Sequence, residues 1–197
     1  MKTIDLFEFD KNSGVNVLAG IDEAGRGPLC GPVVCACCVM PHDLMIEGIN
    51  DSKKVSEKKR EELFEIIKSK AVAFSVAIIP PEVIDEINIL NATKKGMLEC
   101  IEKLSVTPDL ILIDAVKLDT KVPVKAIIKG DATSYCIAAA SILAKVTRDR
   151  IMREYDQKYP QYGFAKNKGY GTKQHVEAII KYGLCEIHRR TFVKNFI

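Results

Sequence analysis

The sequence predicts an α/β layered fold with a mixed sheet, and three observations lead there. Apolar runs of strand length, at 15–23, 33–40, 72–78, 110–113 and 124–128, precede, separate and follow stretches with helical apolar spacing. The first two runs are joined by a Gly/Pro-rich turn too short for a crossover, so they must pair antiparallel. The run 33–40 is apolar throughout, as expected of a strand covered on both faces and central in its sheet.

In chain order, residues 1–14 are polar and mixed and end in Asn12-Ser13-Gly14, which reads as a lightly packed lead-in. After the strand pair, 41–51 is a loop. Ser56 caps a helix to Lys70, with Leu63, Phe64, Ile66 and Ile67 as its apolar stripe. Val72, Phe74, Val76 and Ile78 alternate with small residues as a strand, which Pro80-Pro81 ends, Pro81 suiting the first turn of a helix. Asn91 is placed as the cap of a helix carrying Met97, Leu98, Ile101 and Leu104, and Pro108 breaks that pattern. Strand 110–113 ends at Asp114, and strand 124–128 follows a loop. Gly130-Asp131 opens the longest helix, about 132–155, rich in alanine at 138–140. The stretch 159–171 is a loop, 172–182 a helix closed by Gly183, and 187–192 a polar tail with aromatic anchors.

The length of 197 residues suits a single domain, read as 1–197 with 160–197 as a C-terminal loop and helical extension. A net charge of +3 is too small to argue for nucleic acid by itself, and the basic clusters at 53–60 and 145–173 read alone as solvated helix faces. Seven cysteines, four of them in or beside one apolar run, suit a reduced intracellular protein better than a disulfide framework. No signal segment or membrane-length apolar run is visible, so a cytoplasmic protein with no membrane partner is expected.

Chemistry concentrates in Gly20-Ile-Asp-Glu-Ala-Gly-Arg-Gly27. Asp22 and Glu23 end a strand, and Arg26 follows between Gly25 and Gly27, where bare backbone can approach a ligand. Asp114 ends a second buried strand and Asp131 starts a helix. Taken singly, an acid at a strand end is ordinary, and Asp131 reads as a helix N-cap. Two buried strands terminating directly at acids change the weighing. Gathered carboxylates repel unless a cation neutralises them, and all-oxygen donors favour Mg²⁺ or Mn²⁺. The pattern suggests a metal-dependent site for a phosphate ester. Competing motifs fail. The glycines at 25–31 do not form a dinucleotide loop, because such a loop must open a helix and Pro28 and Pro32 deny one. Cys35 and Cys38 are half a zinc site without a second pair, and His42, His175 and His188 show no ligand spacing.

Several long stretches in order resemble the ribonuclease HII family: GIDEAGRGPLCGPVV (20–34), DSKKVSEKKRE (51–61), LILID (110–114), KGDATSYCIAAASILAKVTRDR (129–150), YGFAKNKGYGT (162–172) and HRRTF (188–192). The resemblance spans residues 16–193. It implies a ribonuclease H-like fold, a mixed five-stranded sheet flanked by helices with a helical C-terminal part. It implies an endoribonuclease acting on RNA·DNA hybrid duplexes and on single ribonucleotides in DNA, by two-metal-ion hydrolysis with Mn²⁺ or Mg²⁺. A monomer is expected. Asp22, Glu23, Asp114 and Asp131 fall on its four catalytic, metal-holding carboxylates. Gly25, Arg26 and Gly27 fall on its 2′-hydroxyl-reading turn, and Tyr170 on a residue packing against the next sugar, although by itself Tyr170 reads as a loop anchor. Lys53, Lys145 and Lys168 are candidate phosphate contacts, with Ser52 and Thr172 behind them. The chain departs from the family at Asn167, where histidine is common, and at Ala115-Val116, where Gly-Asn is common. A related ribonuclease HIII is disfavoured by Asp131, where that family has glutamate. The alternatives are another nuclease of this fold acting on DNA, or a non-catalytic hybrid-binding module.

Overall fold

A computed structural model describes residues 2–114 and 116–194. Strands β1 (Leu18–Ala24) and β2 (Val33–Val39) form the predicted antiparallel hairpin, with Asp22 opposite Ala36 and Glu23 opposite Cys35. Strand β3 (Ala73–Ile79) pairs antiparallel with the far edge of β2. On the other side, β4 (Leu110–Asp114) lies parallel to β1 and β5 (Val124–Ile127) parallel to β4, giving the order β3-β2-β1-β4-β5. Strand β2 is interior and fully buried, as its composition requires, but the middle strand is β1. A helical crossover is what lets the chain return parallel to β1 after the antiparallel meander.

That crossover, α3 (Pro81–Lys103), covers one face of the sheet through Cys35, Cys37 and Val39; the opposite face, through Val34, Ala36 and Cys38, packs on α2 (Glu57–Lys70) and α4 (Tyr135–Lys158). The alternation follows directly from the period-two geometry of a strand. Helix α4 lies directly on β1 because Gly20 has no side chain there: a Cβ on Gly20 would sit 2.2 Å from the Cys136 carbonyl carbon and the Ile137 nitrogen.

Several local expectations are corrected. The lead-in is a helix, α1 (Thr3–Lys11), with Leu6 and Phe7 buried. Two adjacent apolar residues give no periodic signal; tertiary contact holds the helix instead. Its Asp10 accepts hydrogen bonds from the Cys136 N–H at 2.7 Å and the Ser134 hydroxyl at 3.1 Å, and Phe7 meets the Tyr135 ring edge-on at 5.4 Å. Helix α3 runs from Pro81 with a break at Asn88 (φ 66°), whose side-chain oxygen accepts from the Asn91 N–H at 3.1 Å, so the cap stands three residues earlier than predicted. Ser134, not Asp131, caps α4; Asp131 lies in a separate 3₁₀ turn, Gly130–Ala132. The predicted loop 159–171 contains a 3₁₀ turn, Pro160–Tyr162, and a short helix, α5 (Phe164–Asn167). Helix α6 (Lys173–Tyr182) is capped by Thr172, whose hydroxyl accepts from the His175 N–H. In the polar tail, Ile187, His188 and Arg189 are buried ahead of a short helix, α7 (Arg190–Val193). With Leu29, Cys30, Met152 and Phe164, this C-terminal part builds its own apolar cluster. Ala115 lies outside the described residues, whereas Val116 is buried on the α3 side. Among the described residues, no helix is long and apolar enough to cross a membrane.

Candidate active site

Parallel pairing of Ile21 with Ile113 puts the carboxyl ends of β1 and β4 side by side, so Asp22 and Asp114 emerge at one rim. Asp114 accepts a hydrogen bond from the Gly130 N–H at 3.2 Å, which ties the turn carrying Asp131 to the same rim. Glu23 completes the set. The four predicted acids are therefore near enough to act on one another: Glu23 and Asp131 both repel Asp22, and Asp114 repels both Glu23 and Asp131. Among the described residues no three of these side chains bring oxygens within 4.8 Å of one another.

Burial pushes the Asp22 carboxyl well above its ordinary range, and Glu23 and Asp131 add to it. Burial likewise raises Glu23, against the pull of Arg26, whose guanidinium lies 3.4 Å away. Burial and then Asp51 raise Asp131, against Lys53, whose ammonium is 3.5 Å from its oxygen. One oxygen of Glu23, Oε2, is buried with no hydrogen-bond partner. Oxygen-only donors, excess negative charge and an orphaned carboxylate oxygen together fit a hard divalent cation.

Beside the acids is a cleft of about 330 Å³ lined by Asp22, Glu23, the Gly25–Gly27 turn, Lys53, Lys145 and Tyr170. Two buried arginines shape the turn. Arg189 donates to the carbonyls of Gly25 (2.6 Å), Arg26 (3.0 Å), Pro28 (2.9 Å) and Gly31 (2.9 Å). Arg148 donates to the carbonyls of Pro32, Cys30 and Lys168. Gly25 is required here: its φ is +98°, and a Cβ would fall 2.1 Å from Arg148 Nε. The Tyr170 ring stands 3.7 Å from where a Gly27 Cβ would be, and its side of the cleft is half exposed.

The predicted lysines divide. Lys53 reaches the acids, held by a loop that Arg60 pins through the carbonyls of Ser52 and Val55. Lys145 lines the cleft with its ammonium 2.7 Å from Asp149, and burial lowers its pKa. Lys168 turns away, donating to the Ala165 carbonyl at 2.6 Å and standing 3.7 Å from Glu57. Asn167 serves the loop before Tyr170: its amide donates to the Tyr162 carbonyl and its oxygen accepts from the Gly169 N–H, both at 2.7 Å. Ser52 lies 2.7 Å from the Ser141 hydroxyl, itself a hydrogen-bond partner of Asp22. Ser141, Asp51, Arg148 and Arg189 lie within the stretches that resemble the family, but periodicity and composition give none of them a role. A serine in an alanine-rich helix, an aspartate in a loop and arginines among other basic residues give no signal by themselves until the partners are seen.

A mixed sheet in this order, with carboxylates at the adjoining ends of its central parallel pair, has the make-up of a metal-dependent nuclease. The family model for Ribonuclease HII matches residues 19–195, and the chain belongs to the ribonuclease HII family. It is 61% identical over 190 residues to a ribonuclease HII of Ruminiclostridium cellulolyticum, covering 94% of this chain and 73% of that one. Against a ribonuclease HII of Acetivibrio thermocellus it is 58% identical over 185 residues, covering 93% and 72%. The solved ribonuclease H2 from Pyrococcus horikoshii matches with a TM-score of 0.77 at 30% identity, covering 91% of this chain and 96% of that one. A Bst-RNase HIII solved in complex with Mn²⁺ shares the fold, with a TM-score of 0.64 at 15% identity over 89% of this chain and 65% of that one. The family consists of divalent-metal-dependent hydrolases, and the activity is cleavage of the RNA strand in RNA·DNA hybrids.

Proposed function

We propose that the four-acid rim is the catalytic centre, that it works with Mn²⁺ or Mg²⁺, and that the enzyme also incises duplex DNA at single embedded ribonucleotides, leaving 5′-phosphate and 3′-hydroxyl ends. The observation that carries this is the buried, partnerless Glu23 Oε2, in a rim where burial and neighbouring acids hold Asp22, Glu23 and Asp131 above their ordinary range. Asp22, Glu23, Asp114 and Asp131 would hold two divalent ions. When bound, such ions activate a water and stabilise the leaving 3′-oxygen of an in-line displacement.

The chain's own residues do the rest. The Gly25–Arg26–Gly27 backbone, drawn tight by Arg189, presents a side-chain-free edge to the 2′-hydroxyl, the group that tells RNA from DNA. Tyr170 packs on the following sugar, and Lys53 and Lys145 neutralise phosphates. Lys168 contributes through its carbonyl, which anchors Arg148, rather than through its ammonium. Residues 160–194 thus enter substrate binding as part of one catalytic domain. All these groups come from one chain, which supports action as a monomer, and seven free cysteines support the reducing cytoplasm.

The test is cleavage of a DNA duplex carrying one ribonucleotide, with Mg²⁺ and Mn²⁺ compared against chelator. Asp114→Asn should fold normally and lose roughly 100-fold or more of the rate; full retained cutting rejects the centre. Arg26→Ala should weaken preference for the RNA–DNA junction, and an unchanged preference rejects the turn's role. Cutting of an all-DNA duplex would reject ribose recognition altogether.

A further inference from the structure

Behind the cleft, three donors meet that the nuclease chemistry does not use. Cys30 leaves the glycine turn, His175 lies in the first turn of α6, and His188 precedes α7; all three are buried. One donor atom from each lies within 4.8 Å of the others. The two imidazoles aim their Nε2 atoms at each other across 3.1 Å. Two nitrogens bound to one tetrahedral ion at ~2.0–2.1 Å stand at nearly that spacing. The far nitrogen of each ring is fixed by main chain: His175 Nδ1 lies 2.9 Å from the Tyr170 carbonyl, and His188 Nδ1 lies 3.0 Å from the Cys185 N–H and 3.3 Å from its carbonyl. Outer bonds of this kind orient histidine ligands.

We propose that Cys30, His175 and His188 bind one Zn²⁺-class cation, at a site distinct in chemistry from the four-acid rim. One thiolate and two imidazoles select such an ion over Mg²⁺ or Mn²⁺, which prefer oxygen.

The proton balance is simple. With no ion, His188 Nε2–H donates to His175 Nε2, whose Nδ1–H donates to Tyr170. On binding, the Cys30 thiol proton leaves to solvent, and the His188 proton moves from Nε2 to Nδ1, which stops accepting from the Cys185 N–H and donates to the Cys185 carbonyl instead. Sulfur and both Nε2 atoms then face the ion, with one proton released for each ion bound. The ion would act as a clamp, because His175 holds the Tyr170 carbonyl and His188 precedes Arg189, which shapes the Gly25–Gly27 turn.

The experiment titrates Co²⁺, a spectroscopic stand-in for Zn²⁺, into the chelator-treated full chain with excess Mg²⁺ present. One equivalent should bind with sulfur-to-cobalt charge-transfer absorption, and Zn²⁺ should displace it. The band should vanish in Cys30→Ser and persist in Cys185→Ser and Asp114→Asn. Zn²⁺ should raise the thermal midpoint of the wild type but not of Cys30→Ser. No band in the wild type overturns the site whatever the variants do, as does a full band in Cys30→Ser or its loss in Asp114→Asn. The readout does not depend on cleavage, so it fails or succeeds separately from the catalytic assignment.

Discussion

Asp22 shows how much a single carboxyl in this cleft costs the fold. Burial first, then Glu23, hold its pKa above the ordinary aspartate value near ~4. The native state therefore binds more protons than the unfolded chain once the pH passes ~4, and stability falls as pH climbs from there through the raised pKa. Asp22→Asn removes that burden. In chelator, its thermal midpoint should exceed that of the wild type by a few degrees at pH 8, and the difference should close near pH 4. Mg²⁺ or Mn²⁺ should then narrow the difference by stabilising only the wild type. A difference independent of pH would mean that Asp22 titrates normally. Residues of this kind are legible in the sequence because strands end in them. Asp51 and Ser141 are not, because their partners Asp131 and Asp22 lie 80 and 119 positions away in sequence, and only folding pairs them.

Among the elements, β1 and α4 matter most, since α4 carries Ser141, Lys145 and Arg148 to the cleft that β1 opens. Their close approach depends on Gly20. Gly20→Ala would press a methyl group onto the α4 backbone, where no side chain can yield, and should cost about 3 kcal/mol or more by urea denaturation. An unchanged midpoint would show that α4 is not seated there. The strands and the long helices are readable from periodicity and turn residues. Helix α1 is not, because one buried carboxylate, Asp10, and two apolar side chains hold it rather than a stripe. The misplaced cap of α3 has a simple cause: Asn88 and Asn91 are the same residue type three apart, and only the backbone break at Asn88 decides between them.

For the molecule as a whole, the distinctive feature is that the C-terminal part shapes an N-terminal turn. Arg189 is fully buried and bonds carbonyls rather than a carboxylate. Arg189→Lys keeps the charge but loses the planar fork, leaving several buried carbonyls unpaired, for a cost of about 2–4 kcal/mol. At a temperature where this variant is still folded, cutting at a single ribonucleotide should fall below the wild type with a higher KM. Equal cleavage would show that the turn keeps its shape unaided. This clasp also has a meaning in time. The loop it tightens is translated early, yet the guanidinium reaching Gly25 is made 164 residues later. A nascent chain on the ribosome holds all four rim acids once residue 131 has been added, but not the arginine that fastens the turn. The clasp on Gly25 therefore closes only after synthesis passes residue 189.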